Sequence, residues 1–272
     1  RWGGGGGGCG QGGRTECAVR TKSRDTLVRQ GGGVVKKAGY EECARASLSS
    51  SECGDLSGLT GCMRDYCEPR HISLSLPRLR ADSFSAELMQ RVQKTRKSGL
   101  TFACEAGTQR LRDVIHKNIR EEDVVHACEI AFQGGWNNVK LYFMIGLPTE
   151  TTEDLDGISE ICKKVAYCWR MNTNNKARGV RIAASASCFV PKPQTPFQWD
   201  AQDTLEQFIE KQAHMKEIMR TRNVTYNWHD AKTSVLEGVI ARGDRRQGAA
   251  IYLAWQRGCK MDGWDQCFDY DK

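Results

Sequence analysis

No stretch of this sequence is apolar for long enough to cross a bilayer, and its start carries glycine where a secretory signal would carry a charged segment and then an apolar one. A soluble, cytoplasmic chain with no membrane partner is expected. Histidine is scarce, and His71, His116, His126, His214 and His229 fall at no metal-ligand spacing. A GxSxG nucleophile motif is missing as well. Zinc hydrolysis and serine catalysis therefore have no support. Lysine and arginine outnumber the acids, for a formal charge of +7, but they are spread along the chain and form no block. Nucleic acid is not indicated as a partner. The first residue is Arg1 rather than methionine and the chain stops abruptly at Asp271-Lys272, which suggests a fragment of a longer protein.

Cysteine, by contrast, is plentiful, with 13 residues scattered too widely for a compact disulfide framework. Cys43, Cys104, Cys128, Cys162 and Cys188 lie inside apolar strand or helix patterns, where a free thiol acts as a small hydrophobe. The 272 residues are enough for a sizeable core, as one large domain or a domain with a tail. Residues 1–13 are mostly glycine. They have little to bury and much backbone entropy to lose, so disorder is expected there unless a ligand orders them.

The chain is organised around Lys140-Leu-Tyr-Phe-Met-Ile-Gly-Leu-Pro-Thr-Glu-Thr151. Residues 139–145 are so uniformly apolar and aromatic that a parallel strand covered on both faces is expected. Gly146 and Pro148 end it, and Thr149 or Thr151 can cap a helix that Glu153 and Asp154 open. Further strands are predicted at 43–48, 71–76, 100–104, 180–190 and 224–228. Helices are predicted at 26–38, 56–66, 86–97, 121–132, 153–169, 205–222, 234–241 and 249–257, with a short one ending at Ile115. Glycines 31–33, 58 and 61 predict that the first two helices are weak and the fold marginally stable. Strands and helices alternate as in βαβ units, whose right-handed connections curl a parallel sheet into a barrel or a doubly wound sheet.

Polar residues gather at four strand ends: Ser47, Ser49 and Ser50; Ser75 with Arg78 and Arg80; Glu105 with Gly107; and Gly146 with Glu150. One such residue is commonly a cap. Four successive ends point to a ligand face, because parallel α/β folds bind ligands at the loops that follow strand C-termini. Glu105 directly follows an apolar strand and has Arg110 and Arg112 downstream as partners. A salt-bridged carboxylate with no further role is its plain alternative.

Longer motifs join these residues. Ile72-Ser-Leu-Ser-Leu-Pro-Arg-Leu-Arg-Ala-Asp-Ser-Phe-Ser85 is followed by Arg96-Lys-Ser-Gly-Leu-Thr-Phe-Ala-Cys-Glu-Ala-Gly-Thr-Gln-Arg-Leu-Arg-Asp-Val-Ile115. Beyond the central stretch come Phe189-Val-Pro-Lys-Pro-Gln-Thr-Pro-Phe-Gln-Trp199, Asn227-Trp-His-Asp230 and Ala241-Arg-Gly-Asp-Arg-Arg246. Together they closely resemble the radical S-adenosylmethionine (SAM) domain of cobalamin-binding-type radical SAM proteins, over residues 18–270. The resemblance implies a partial (β/α)6 TIM-type barrel, a parallel sheet with outer helices whose open top holds a 4Fe-4S cluster and SAM. It divides the chain into a Gly-rich cluster loop (1–22), the barrel (23–228) and a C-terminal helical extension (229–272).

By position, the resemblance puts Ile145, Gly146 and Leu147 beside the adenine and Glu105 at the ribose. Ser75 and Arg78 lie on the strand before, and Ser49 and Ser50 lie near the methionine amino and carboxylate groups. The family's CxxxCxxC motif supplies three thiolates to the cluster. Here Gly3, Gly7 and Gly10 stand at those positions, and Cys9 and Cys17 are the nearest candidate ligands. The implied activity is reductive cleavage of SAM to a 5′-deoxyadenosyl radical, with an external electron donor and an unknown substrate. Cobalamin would act through a domain absent from this sequence. The alternative is a cluster-less, non-catalytic barrel that serves as a SAM-binding or scaffold module.

Overall fold

Ser23 opens the first helix, α1 (Arg24–Ala38), by accepting the Thr26 N–H on its hydroxyl, and Gly39 closes it in the left-handed region at φ 69°. This is a computed structural model, which describes residues 22–39, 42–44, 56–75, 100–173, 176–264 and 266–271. Helix α1 runs through its three glycines, and two of them, Gly31 and Gly32, face Met63 and Tyr66 of the next helix. A Cβ on Gly32 would lie 2.6 Å from the ring of Tyr66, whose hydroxyl donates to the Gly32 carbonyl at 3.2 Å. Close approach offsets the propensity cost of about 1 kcal/mol per glycine. Strand β1 (Glu42–Ala44), helix α2 (Leu56–Cys67) and strand β2 (Ser73–Ser75) complete this part, with β1 and β2 paired in parallel.

The main sheet contains β3 (Leu100–Glu105), β4 (Asn138–Ile145), β5 (Arg181–Cys188) and β6 (Val224–Trp228), all parallel and adjacent in that order. Between β3 and β4 lie helices α3 (Gln109–Val114) and α4 (Glu121–Gln133). Helix α5 (Thr152–Asn172) joins β4 to β5, and α6 (Leu205–Ile218) joins β5 to β6. Two more helices follow, α7 (Ala231–Arg242) and α8 (Gln247–Gln256), and α8 buries none of its residues. Among the described residues no helix is long and apolar enough to cross a membrane.

Burial along the strands alternates with period two. Phe102, Leu141, Phe143 and Ile182 pack against Phe132 of α4, Ile158 and Ile161 of α5 and Phe208 of α6 in one apolar core. The expectation that β4 is covered on both faces is corrected here, since Lys140 and Tyr142 are exposed on the other side. Their apolar and aromatic neighbours hid the alternation. The paired residues Thr101, Lys140, Ala183 and Thr225 form one row across that open face, and Ala103, Tyr142, Ser185 and Asn227 form the next. One face of the sheet therefore makes the fold, and the other remains accessible.

Candidate functional site

At the C-terminal end of β3 the chain turns sharply. The Ala106 N–H donates to the Cys104 carbonyl at 2.8 Å across Glu105, which takes φ 65°. This γ-turn is strained for a residue with a Cβ, and a register shift beside it interrupts the pairing of β3 with β4. Helix α3 and the residues after it hold the turn. The Arg112 guanidinium, 1 % exposed, donates to the Ala106 carbonyl at 2.8 Å and to Gln109 Oε1 at 3.3 Å. Burial lowers its pKa. Lys117 reaches back to the Glu105 carboxylate at 3.0 Å. The expected partners, Arg110 and Arg112, are therefore both wrong for Glu105. Neither matches Lys117, which its fold brings beneath the carboxylate after one short helix.

At the end of β4, Gly146 adopts φ 79°, and a Cβ there would meet Phe208 at 2.6 Å and Asp203 at 2.7 Å. Glycine is required at this position on both counts. The Gly146 N–H donates to Glu150 Oε1 at 2.8 Å. Glu150 is buried against Lys211 at 2.8 Å, and Lys211 also reaches Asp203 at 2.7 Å. Burial raises the Glu150 carboxyl, against the opposing pull of Lys211 and the Gly146 N–H. For Lys211, burial lowers the pKa, but its two carboxylate partners win and leave it raised. Thr151, rather than Thr149, is the N-cap of α5.

A latch joins the two turns. Asp154, in the first turn of α5, accepts hydrogen bonds from Thr108 and Arg110 of the β3 side and from the Thr151 N–H at 2.8 Å. Burial alone would raise its pKa, but these hydrogen bonds outweigh it and hold the carboxyl below its usual value. Arg110 also donates to the Thr149 carbonyl at 2.9 Å. Beneath the latch, Gly107 lies so close to Gly157 and Ile158 of α5 that a Cβ on it would collide with their backbone.

The structure thus brings Glu105 and the turn at Ile145, Gly146 and Leu147 to one end of neighbouring strands. The Ile145 and Leu147 side chains are buried in apolar clusters, so only their main chain can meet a ligand. Ser75 is described through its backbone in β2. Ser49, Ser50, Arg78, Cys9, Cys17 and the glycines at 3, 7 and 10 lie outside the described residues, as does the helix predicted at 86–97. Cys104, Cys128, Cys162 and Cys188 are buried on the helix side. Burial pushes Cys104 and Cys162 up to about 12, so these thiols are inert hydrophobes. Sequence reasoning missed Lys117 and Lys211, and read Asp154 only as opening α5.

No protein-family profile matches the chain. MJ0966, an uncharacterized protein of Methanocaldococcus jannaschii, is 32% identical over 193 residues, which are 71% of this chain and 40% of that protein. The chain therefore spans less than half the length of this relative. Crystal structures of SuiB from Streptococcus suis are similar at low identity. SuiB bound to the precursor peptide SuiA superposes with a TM-score of 0.57 at 10% identity, over 85% of this chain and 48% of SuiB. SuiB bound to S-adenosylmethionine gives 0.51 at 10% identity, over 82% of this chain and 46% of SuiB. At 10% identity these likenesses show the fold alone, an α/β architecture with a parallel sheet and flanking helices.

Proposed function

We propose that this chain is the SAM-binding barrel of a radical SAM protein of the cobalamin-binding type. Its reaction class is reductive cleavage of SAM, directed at an unidentified substrate. Residues 23–228 form the barrel in this proposal, 1–22 the cluster loop and 229–272 a helical extension. One observation carries it. The strained Glu105 turn, with its Lys117 partner, lies beside the Gly146 turn at the open end of a parallel sheet.

The residues present fit SAM. A carboxylate at Glu105 accepts from ribose hydroxyls, and the Lys117 ammonium can donate to the cofactor's carboxylate. The Gly146 turn lies on the neighbouring strand, with its own N–H donated to Glu150. The described residues do not fit an iron-sulfur cluster, since no three His, Cys, Asp or Glu groups among them converge on a metal. Its ligands would have to come from residues outside the described ones, among them Cys9 and Cys17. That same observation, with glycine at positions 3, 7 and 10, favours a second reading, in which the chain is a cluster-less SAM-binding module.

Anaerobic reconstitution with iron and sulfide, followed by SAM titration calorimetry, tests both. SAM binding weakened about tenfold by Glu105→Gln, a loss of about 1.4 kcal/mol, supports the shared core of the two readings. Four irons per chain then select the first reading, and no iron selects the second. Absence of SAM binding by the unaltered chain would overturn both.

A further inference from the structure

We infer that the open face of the main sheet is a binding surface for an elongated anionic molecule, whose phosphate or carboxylate end is held by Lys140 and Arg181. This rests on the SAM-barrel reading for the identity of the molecule as substrate, but the anion site stands on its own observations.

Lys140 and Arg181 both project from the open face, because Asn138 pairs with Arg181 and Lys140 with Ala183 in one register. Both are exposed. Among the described residues no ion pair or side-chain hydrogen bond engages either of them, whereas Arg110, Lys117 and Lys211, at the opposite end of the strands, all have carboxylate partners. One strand spacing and two residues separate their Cα atoms, roughly 8 Å, so two long side chains can converge on a single oxyanion. An arginine fork beside a lysine point charge suits a phosphate.

Their surroundings leave room for a ligand. Thr101, Ala183 and Thr225 share the row of Lys140, and Ala103, Ser185 and Asn227 share that of Tyr142, which is 44% exposed. Small, hydroxyl and amide side chains are what a polar ligand needs along its length. Glu105, the one acid these strands put at this face, is at the opposite end and already paired with Lys117. Six residues separate Lys140 from Gly146, about 20 Å of strand. A molecule that touches both ends is therefore extended, with its anionic end remote from the cofactor turn.

Pyrophosphate titrated into the whole chain by calorimetry is the direct test. Binding should weaken at least tenfold in Lys140→Met and in Arg181→Met, vanish in the double variant and persist in Lys140→Arg. Lys163→Met, on the outer surface of α5, should bind like the parent. Both substituted side chains are exposed, so thermal melts should coincide and exclude misfolding as the cause. No binding by the parent chain, unchanged binding by the double variant, or an equal loss in Lys163→Met would overturn the inference. Citrate in the same titration separates the two chemistries: a preference for pyrophosphate assigns phosphate, and the reverse assigns carboxylate. SAM titrated in parallel separates this site from the cofactor site. If SAM fails to bind while pyrophosphate binding still depends on Lys140 and Arg181, the cofactor reading falls and the anion site stands.

Discussion

The two faces of the main sheet are made by alternate residues of the same strands, yet they have opposite characters. Phe143 is 1 % exposed against the helices, while Tyr142, one residue earlier, is 44 % exposed on the other side. One face carries the large apolar side chains that bury area at about 25 cal/mol per Å². The other carries threonine, serine, asparagine, lysine and arginine, which contribute little to stability. The contrast teaches where stability and ligand contact can be altered separately, and its rim, where the strands end, is where they cannot.

The sharpest way to break this comparison is to truncate both members. Phe143→Ala should cost about 3–5 kcal/mol of stability in urea denaturation, the range for an aromatic removed from a closed core. Tyr142→Ala should stay within about 1 kcal/mol, and similar losses at both positions would mean that the faces do not differ as described. At the rim, Asp154→Asn should cost about 2–3 kcal/mol, because it takes a buried carboxylate from donors on two loops. Its pH dependence follows from the lowered pKa. The folded value lies below the unfolded one of about 3.9, so the contribution is present above that pH and fades as pH falls through the folded value. Acid titration of stability should therefore show a loss in the unaltered chain that Asp154→Asn lacks.

The smallest effect is chemical rather than energetic. Alkylation at mildly alkaline pH, read by mass spectrometry, should label exposed Cys267 fully and leave Cys104 and Cys162 unlabelled until the chain unfolds. Prompt labelling of Cys104 would show that the helix face is open.

Much of this fold was legible because strand and helix patterns repeat locally. The strands at 100–104 and 224–228 and the helix at 121–132 need only a short window of sequence, and the structure puts β3, β6 and α4 there. What escaped were properties that depend on a distant neighbour. The glycines of α1 read only as weakening it, since nothing local announces Tyr66. Strand β4 read as buried on both faces because Tyr142 and Met144 are as apolar in composition as the residues that truly are buried. Glu105 and Gly146 were legible as strand ends. Glu105's partner was not, since Lys117 follows a helix and a turn whose geometry sets the reach.

Asp154 and Arg110 also make the two turns mechanically one object. Restricting the motion of the Glu105 loop restricts the Gly146 loop, because Thr108 and Arg110 on one side and Thr151 on the other share a single carboxylate. Two ligand groups that each order one loop would then bind with positive cooperativity, each easing the entropy cost of the other, and thermodynamic reciprocity makes the gain equal in both directions.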